Sequence, residues 1–328
     1  VLLAALGLLA SVAAAREPAP TAVEAPQSPA PTPHPLLWRI EGNPPSWLYG
    51  TIHLPDERVL ELPPVVRDAI ESSDGLFTEI PMDLSTQLRA AASAMLPGLT
   101  TLEDELPEEL YDRLDSFLES KGFEPLVFKK FKVWAVAMQL ELLDHIDRLA
   151  SGPPLDQFLY DLARSLGKEV GGLETVQEQL DVFETLPPEG QIELLRRTLD
   201  RLERYDDEGI DPTERLLEAY LGGDMRRIAA LVAEGMEEDE DGLGQEMQER
   251  LLTRRNARMA DRIAERLRAR PGKAYFFAAG AAHFLEDEEG IPSLLRARGF
   301  EIRRIAAPAD AGSASSPAPA RPLKRRAI

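Results

Sequence analysis

Leu48-Tyr49-Gly50-Thr51-Ile52-His53 and Phe277-Ala278-Ala279-Gly280-Ala281-Ala282-His283 decide the reading of this chain. Each is a short apolar run ending in Gly-x-x-His, and together they hold two of the four histidines. Apolar runs of this length bounded by glycine read as buried strands. Each imidazole therefore sits where a strand gives way to a loop, the edge at which open α/β sheets keep their chemistry. Glycine at a strand end permits close approach of a ligand or neighbouring strand. One such motif is commonplace, and a lone strand-end histidine is most often structural. The pair at matching positions points to a site.

Outward from these runs, Leu36-Leu37-Trp38-Arg39-Ile40 and Ser46 to Thr51 flank Gly42-Asn43-Pro44-Pro45 and read as an opening β-hairpin. A helix over about 64–72 leads to a third strand, Gly75 to Ile80. Residues 85–166 show helical spacing, as in Leu110, Leu114, Phe117, Leu118 and again in Trp134, Met138, Leu142. A strand at Glu169 to Glu174 separates this from a second helical stretch over about 176–270, interrupted at Pro187-Pro188, Gly209, Pro212 and Gly222-Gly223. The strand Lys273 to Ala279, a helix over about 291–298 and a strand from Phe300 to Ile305 follow. The expected fold is α/β (α+β), a mixed β-sheet opened by a β-hairpin and covered by helices, with two long helical excursions.

Four groups able to bind metal or move protons fall at or just past strand ends: His53, Glu79, Glu174 and His283. Neighbouring strands would bring them to one edge. Two neutral imidazoles and a carboxylate form a suitable ligand set for a divalent cation with an open position for water. A further carboxylate can act as general base or orient an imidazole.

The remaining histidines carry less. His34 lies in a Pro/Ala-rich stretch, and His145 sits on a helix, where packing or exposure is the ordinary role. Arg255 belongs to a long amphipathic helix and is expected in solvent by default. The acidic run Glu237 to Asp241 reads as a solvated loop or helix face.

Composition limits the function classes. The chain has 328 residues, 44% of them hydrophobic, which is ample for a large core. A net charge of -20 argues against a nucleic-acid-binding body, which needs clustered Lys and Arg. With no cysteine, disulfides, zinc-thiolate sites and cysteine nucleophiles are excluded. No Gly-x-Ser-x-Gly elbow, phosphate loop or His-Glu-x-x-His pair is present.

The ends differ from the middle. Residues 1–15 form an apolar run closing on Ala13-Ala14-Ala15, which resembles a secretory signal and is shorter than the roughly 20 residues of a membrane span. Residues 16–35 read as a disordered Pro/Ala-rich linker, 36–306 as a single domain, and 307–328 as a disordered tail with the basic tip Arg321, Lys324, Arg325, Arg326. The expectation is a periplasmic or secreted protein, without stable membrane insertion after cleavage and membrane-tethered if the segment is retained.

Leu37-Trp38-Arg39-Ile40, Leu48 to Leu54 and Phe77-Thr78-Glu79 resemble the start of the TraB/PrgY/GumN family, whose animal members are the TIKI proteases. The similarity continues through Gly172-Leu173-Glu174-Thr175, Tyr220-Leu221-Gly222-Gly223-Asp224, Arg255-Asn256-Ala257-Arg258-Met259-Ala260 and Phe277 to His283. The resemblance implies an EreA/ChaN-like fold and a metal-dependent hydrolase acting on peptide or protein, with manganese or cobalt as cofactor and zinc compatible with the same donors. It carries over His53, Glu79 and His283 as metal ligands and Glu79, Glu174 and Arg255 as catalytic groups, Arg255 holding a carboxylate or a developing oxyanion. The alternative it leaves is a non-catalytic haem- or peptide-binding protein on the same scaffold. One departure is visible: Phe284-Leu285-Glu286-Asp287-Glu288-Glu289-Gly290 follows the second histidine, where family members have an early glycine.

Overall fold

Leu37–Ile40 (β1) and Ser46–Thr51 (β2) pair antiparallel as the expected hairpin, and β1 carries Ile302–Arg304 (β6) on its other side, also antiparallel. The computed structural model describes residues 34–143, 152–236 and 242–305. The signal-like segment, most of the linker, the tail, His145 and the acidic run Glu237 to Asp241 lie outside the described residues.

The remaining strands are Gly75–Thr78 (β3), Glu169–Gly172 (β4) and Tyr275–Gly280 (β5). The sheet order is β4-β3-β5-β2-β1-β6. Parallel pairing links β4 to β3, β3 to β5 and β5 to β2, so these four strands end at one edge. The last of them in sequence, β5, lies between β2 and β3. Its residues are all buried, as expected of a central parallel strand covered on both faces.

Helices clothe the sheet in the two stretches the periodicity marks. The first includes Glu108–Ser120, Val133–Leu140 and Leu155–Ser165; the second runs from Val176–Glu184 through Pro188–Glu208, Pro212–Leu221 and Met225–Gly235 to Arg254–Ala269. Among the described residues no helix is long and apolar enough to cross a membrane.

Packing fixes the strand ends. The Trp38 and Phe284 rings stack with centroids 5.2 Å apart, joining the hairpin to the turn that carries His283. Pro35 is already buried, and the chain backbone at His34 passes close to Gly223, whose φ of +63° suits glycine. Tyr220, in the same motif, donates from its hydroxyl to the carbonyl of Gly50 at 2.9 Å, bracing the end of β2. Burial pushes its phenol well above the ordinary range, so it remains a donor.

Candidate active site

The parallel strand ends deliver the four expected groups to one edge. His53 lies two residues past β2, Glu79 one past β3, Glu174 two past β4, and His283 in the 3-10 turn Ala281–Phe284 after β5. Because β5 sits between β2 and β3, His53 and His283 both reach Glu79. His53 Nε2 is 3.1 Å and His283 Nε2 3.5 Å from the same oxygen, Glu79 Oε1.

Each imidazole is held from behind. His53 Nδ1 is 2.7 Å from Asp156 Oδ2, and Asp156 is itself fixed by the Thr51 hydroxyl at 2.8 Å. His283 Nδ1 is 2.6 Å from Asn256 Oδ1, while the amide nitrogen of Asn256 donates to the Glu289 carbonyl at 2.9 Å. That second bond fixes which way the amide faces, so His283 Nδ1 must donate. Its Nε2 is left with a lone pair turned toward the ring's carboxylate neighbour.

Electrostatics separates the two histidines. Burial lowers His283 to about 3, so it is neutral. Burial also opposes the charged form of His53, but Asp156 and Glu79 outweigh it and push His53 up to about 9. Burial would raise the Glu79 carboxyl; the Arg255 guanidinium prevails and holds it well below the usual carboxylate range.

Glu79 is almost fully enclosed. Its Oε1 also accepts from the Gly280 amide at 2.7 Å, and its Oε2 from Gln179 at 2.8 Å and Arg255 at 2.5 Å. Arg255 is only 3% exposed, which overturns the default of a solvated helix arginine. It sits just after a π-helical turn, Glu249–Thr253, of the kind found where helices serve a site. Its burial is sustained by two carboxylates, Glu79 and Glu174.

Glu174 faces guanidinium groups. Its Oε2 takes Arg255 at 2.7 Å and its Oε1 takes Arg258 at 2.6 Å, and no ion pair joins it to either imidazole. As placed, it positions Arg255. Sequence reasoning passed over Asp156, Gln179 and the role of Asn256. Asp156 begins the helix after Pro153-Pro154 and has no local mark to set it apart from the other acids.

The neutral His283 imidazole, the Glu79 carboxylate and a His53 imidazole that gives up its proton on binding are the right chemistry for a divalent cation. His283 Nε2 and Glu79 Oε1 are both acceptors, facing each other with no proton to bridge them, an arrangement a cation would relieve. The set is contracted about Glu79, and among the described residues no group of three or more His, Cys, Asp or Glu is placed to hold a metal ion. The acidic loop after His283 closes on itself: Asp287 Oδ1 accepts from the amides of Glu289 and Gly290 at 3.0 and 2.7 Å. That turn presents the Glu289 carbonyl to Asn256.

A cavity of about 630 Å³ opens beside these groups, lined at its inner end by His53, Glu79, Arg255 and His283. Its volume is in the range of ligand sites.

Metalloprotease TIKI1 of Danio rerio is 29% identical over 313 residues, covering 83% of this chain and 63% of that protein. Metalloprotease TIKI homolog of Nematostella vectensis is 27% identical over 315 residues, covering 82% and 67%. Uncharacterized protein YbaP of Shigella flexneri is 27% identical over 261 residues, covering 78% and 90%. The chain therefore spans somewhat under two thirds of the first of these relatives. No solved structure matches it. The profile of the TraB/PrgY/gumN family matches residues 36–304, a span that holds both Gly-x-x-His strands, Glu79, Glu174 and Arg255, and the chain belongs to that family.

Proposed function

We propose that this chain is an exported metal-dependent hydrolase of the peptidase type, with His53, Glu79 and His283 as the residues that hold the metal. The observation that carries this reading is the convergence of two Nε2 atoms on Glu79 Oε1, each ring pinned at Nδ1 by an acceptor on a separate helix. Such backing is the usual support of metal-ligating imidazoles. The relatives named metalloproteases support the same class of chemistry. Manganese or cobalt is the proposed ion, and a peptide or protein the substrate.

When bound, a divalent cation would supply Lewis acidity toward a scissile carbonyl and a water. The chain's own groups do the rest. Asp156 and Asn256 fix the imidazole planes. Glu79, kept ionised by Arg255, stays a ligand at neutral pH. Arg255 remains cationic at the inner end of the cavity, where it can meet a developing oxyanion. Glu174, with both oxygens engaged by Arg255 and Arg258, holds that guanidinium in place instead of accepting a proton.

The parallel strands ending in one polar edge also support placing the scaffold beside EreA/ChaN-like proteins. Export rests on the signal-like segment in the sequence. A haem site is less consistent with the geometry, since imidazoles that meet at one carboxylate oxygen suit a small ion and leave no slot for a macrocycle between them.

Metal content and cleavage of a peptide library should be measured together for the wild type, His53→Ala and His283→Ala. Stoichiometric manganese or cobalt in the wild type, lost with activity in both variants, is expected. Activity that persists in chelator and in both variants would sink the proposal.

A further inference from the structure

The cavity beside the site has an apolar wall that no residue of the described chain fills. Met138, Leu194, Leu216, Leu231, Val232 and Leu251 line it, from five separate helical elements, and all six are half-buried. Each packs one side against the core and turns the other to the cavity. Apolar surface left exposed on convergent faces is stabilised when a ligand removes it from water. The same cavity is continuous with His53, Glu79 and His283.

Polar groups are set among these side chains. Arg215 pairs with Glu234 at 2.9 Å, the Tyr205 hydroxyl reaches Glu234 at 3.1 Å, and Arg201 pairs with Glu141. Each of these pairs sets a cation against an anion, so none of the four charges is left uncompensated for a ligand. They also argue about what lies against the wall. A hydrocarbon chain would dry them and offer no partner in return, whereas a peptide backbone brings an N–H and a C=O with every residue.

We propose that this wall is a specificity subsite that takes leucine-, methionine- or phenylalanine-like side chains of a peptide whose scissile bond lies at His53, Glu79 and His283. The inference rests on the hydrolase reading for the direction of the peptide, and its own content is the apolar preference. Met138, whose unbranched thioether adapts to different shapes, suits a subsite for apolar side chains of more than one form.

The test uses the full chain in EDTA, so that binding is read without cleavage. Two fluorescein-labelled octapeptides differ only in a central Leu-Met-Leu-Phe or Ser-Gly-Ser-Asn. By fluorescence anisotropy the apolar probe should bind about tenfold more tightly, equivalent to about 1.4 kcal/mol. Val232→Asp places a charge in the wall and Leu216→Trp fills the space, and either variant that melts with the wild type should lose the preference. Equal affinity for the two probes, or a preference kept in a folded variant, overturns the subsite. Displacement of the apolar probe by palmitate more readily than by the unlabelled apolar peptide also overturns it, in favour of an acyl-chain site. The two readings fail separately. A tenfold preference without cleavage by the manganese-loaded chain leaves the subsite standing and removes the hydrolase; equal cleavage of both peptides does the reverse.

Discussion

Gly280 sets the separation of the groups that meet at Glu79. A methyl group built on it would approach His53 Nε2 to 2.8 Å and Glu79 Oε1 to 3.3 Å, while the Gly280 amide already donates to that oxygen. The first residue of the second Gly-x-x-His motif is thus glycine because the first motif's histidine passes over it. Gly280→Ala should push both groups away. The expected outcome is loss of metal binding, read by calorimetric titration with manganese, at a stability cost of about 1–3 kcal/mol typical of overpacking. Asp156 acts on His53 from the other side. Asp156→Asn keeps the size but removes the charge that holds Nδ1–H, and should weaken manganese binding about 10- to 100-fold while the melting curve stays cooperative. Retention of wild-type affinity would show that His53 is oriented by something other than Asp156.

The helix Arg254–Ala269 shows how one element can serve both packing and site. Arg255, Arg258, Arg262 and Arg266 recur on one face and dock along β4 and the turn and helix start that follow it. Arg255 and Arg258 take Glu174, Arg262 takes Glu178 and the Leu173 carbonyl, and Arg266 takes Glu169 and lies 3.7 Å over the Phe77 ring. Read as a pattern, such a stripe looks like a solvated face; the carboxylates that change its meaning lie 81 and 176 residues away in sequence. Glu178 is also the third residue of a capping box with Thr175, which starts the helix Val176–Glu184. Its hydrogen bond from Arg262, with the capping contacts, lowers its carboxyl to about 2. A depressed carboxylate contributes stability that is present above about pH 4.5 and is lost as pH falls toward about 2. Glu178→Gln should therefore destabilise the fold at neutral pH and flatten part of the acid limb. Melting temperatures of the two proteins should converge as the pH drops through that window, and parallel acid limbs would refute the assignment.

Across the whole molecule, what the sequence made legible was local and what it hid was not. The hairpin, the six strands and the two helical stretches follow from apolar period and from glycine and proline punctuation, and the strand ends located His53, Glu79, Glu174 and His283. Asp156 was hidden because its partner His53 lies 103 residues away and nothing around it differs from an ordinary helix start. The strand order was hidden too, since pairing partners are chosen by tertiary packing. That order has a consequence for folding. β5 is the last of the four parallel strands in sequence yet separates β2 from β3, with Thr51 beside Gly280 on one side and Phe77 beside Phe277 on the other. Without β5 the two flanking strands face a gap, their backbone groups unpaired and the apolar faces of Leu48, Leu76 and Phe77 uncovered. A chain ended at Arg270 keeps three of the four residues His53, Glu79, Glu174 and His283, and most of the helices, and would look nearly complete by residue count. It should nevertheless lose its cooperative melt and expose apolar surface to a hydrophobic dye, because of the two missing strands, β5 and β6, the first is central. A truncated chain that still melts in one sharp transition would mean that the helical excursions fold as a unit of their own, independent of the sheet they cover.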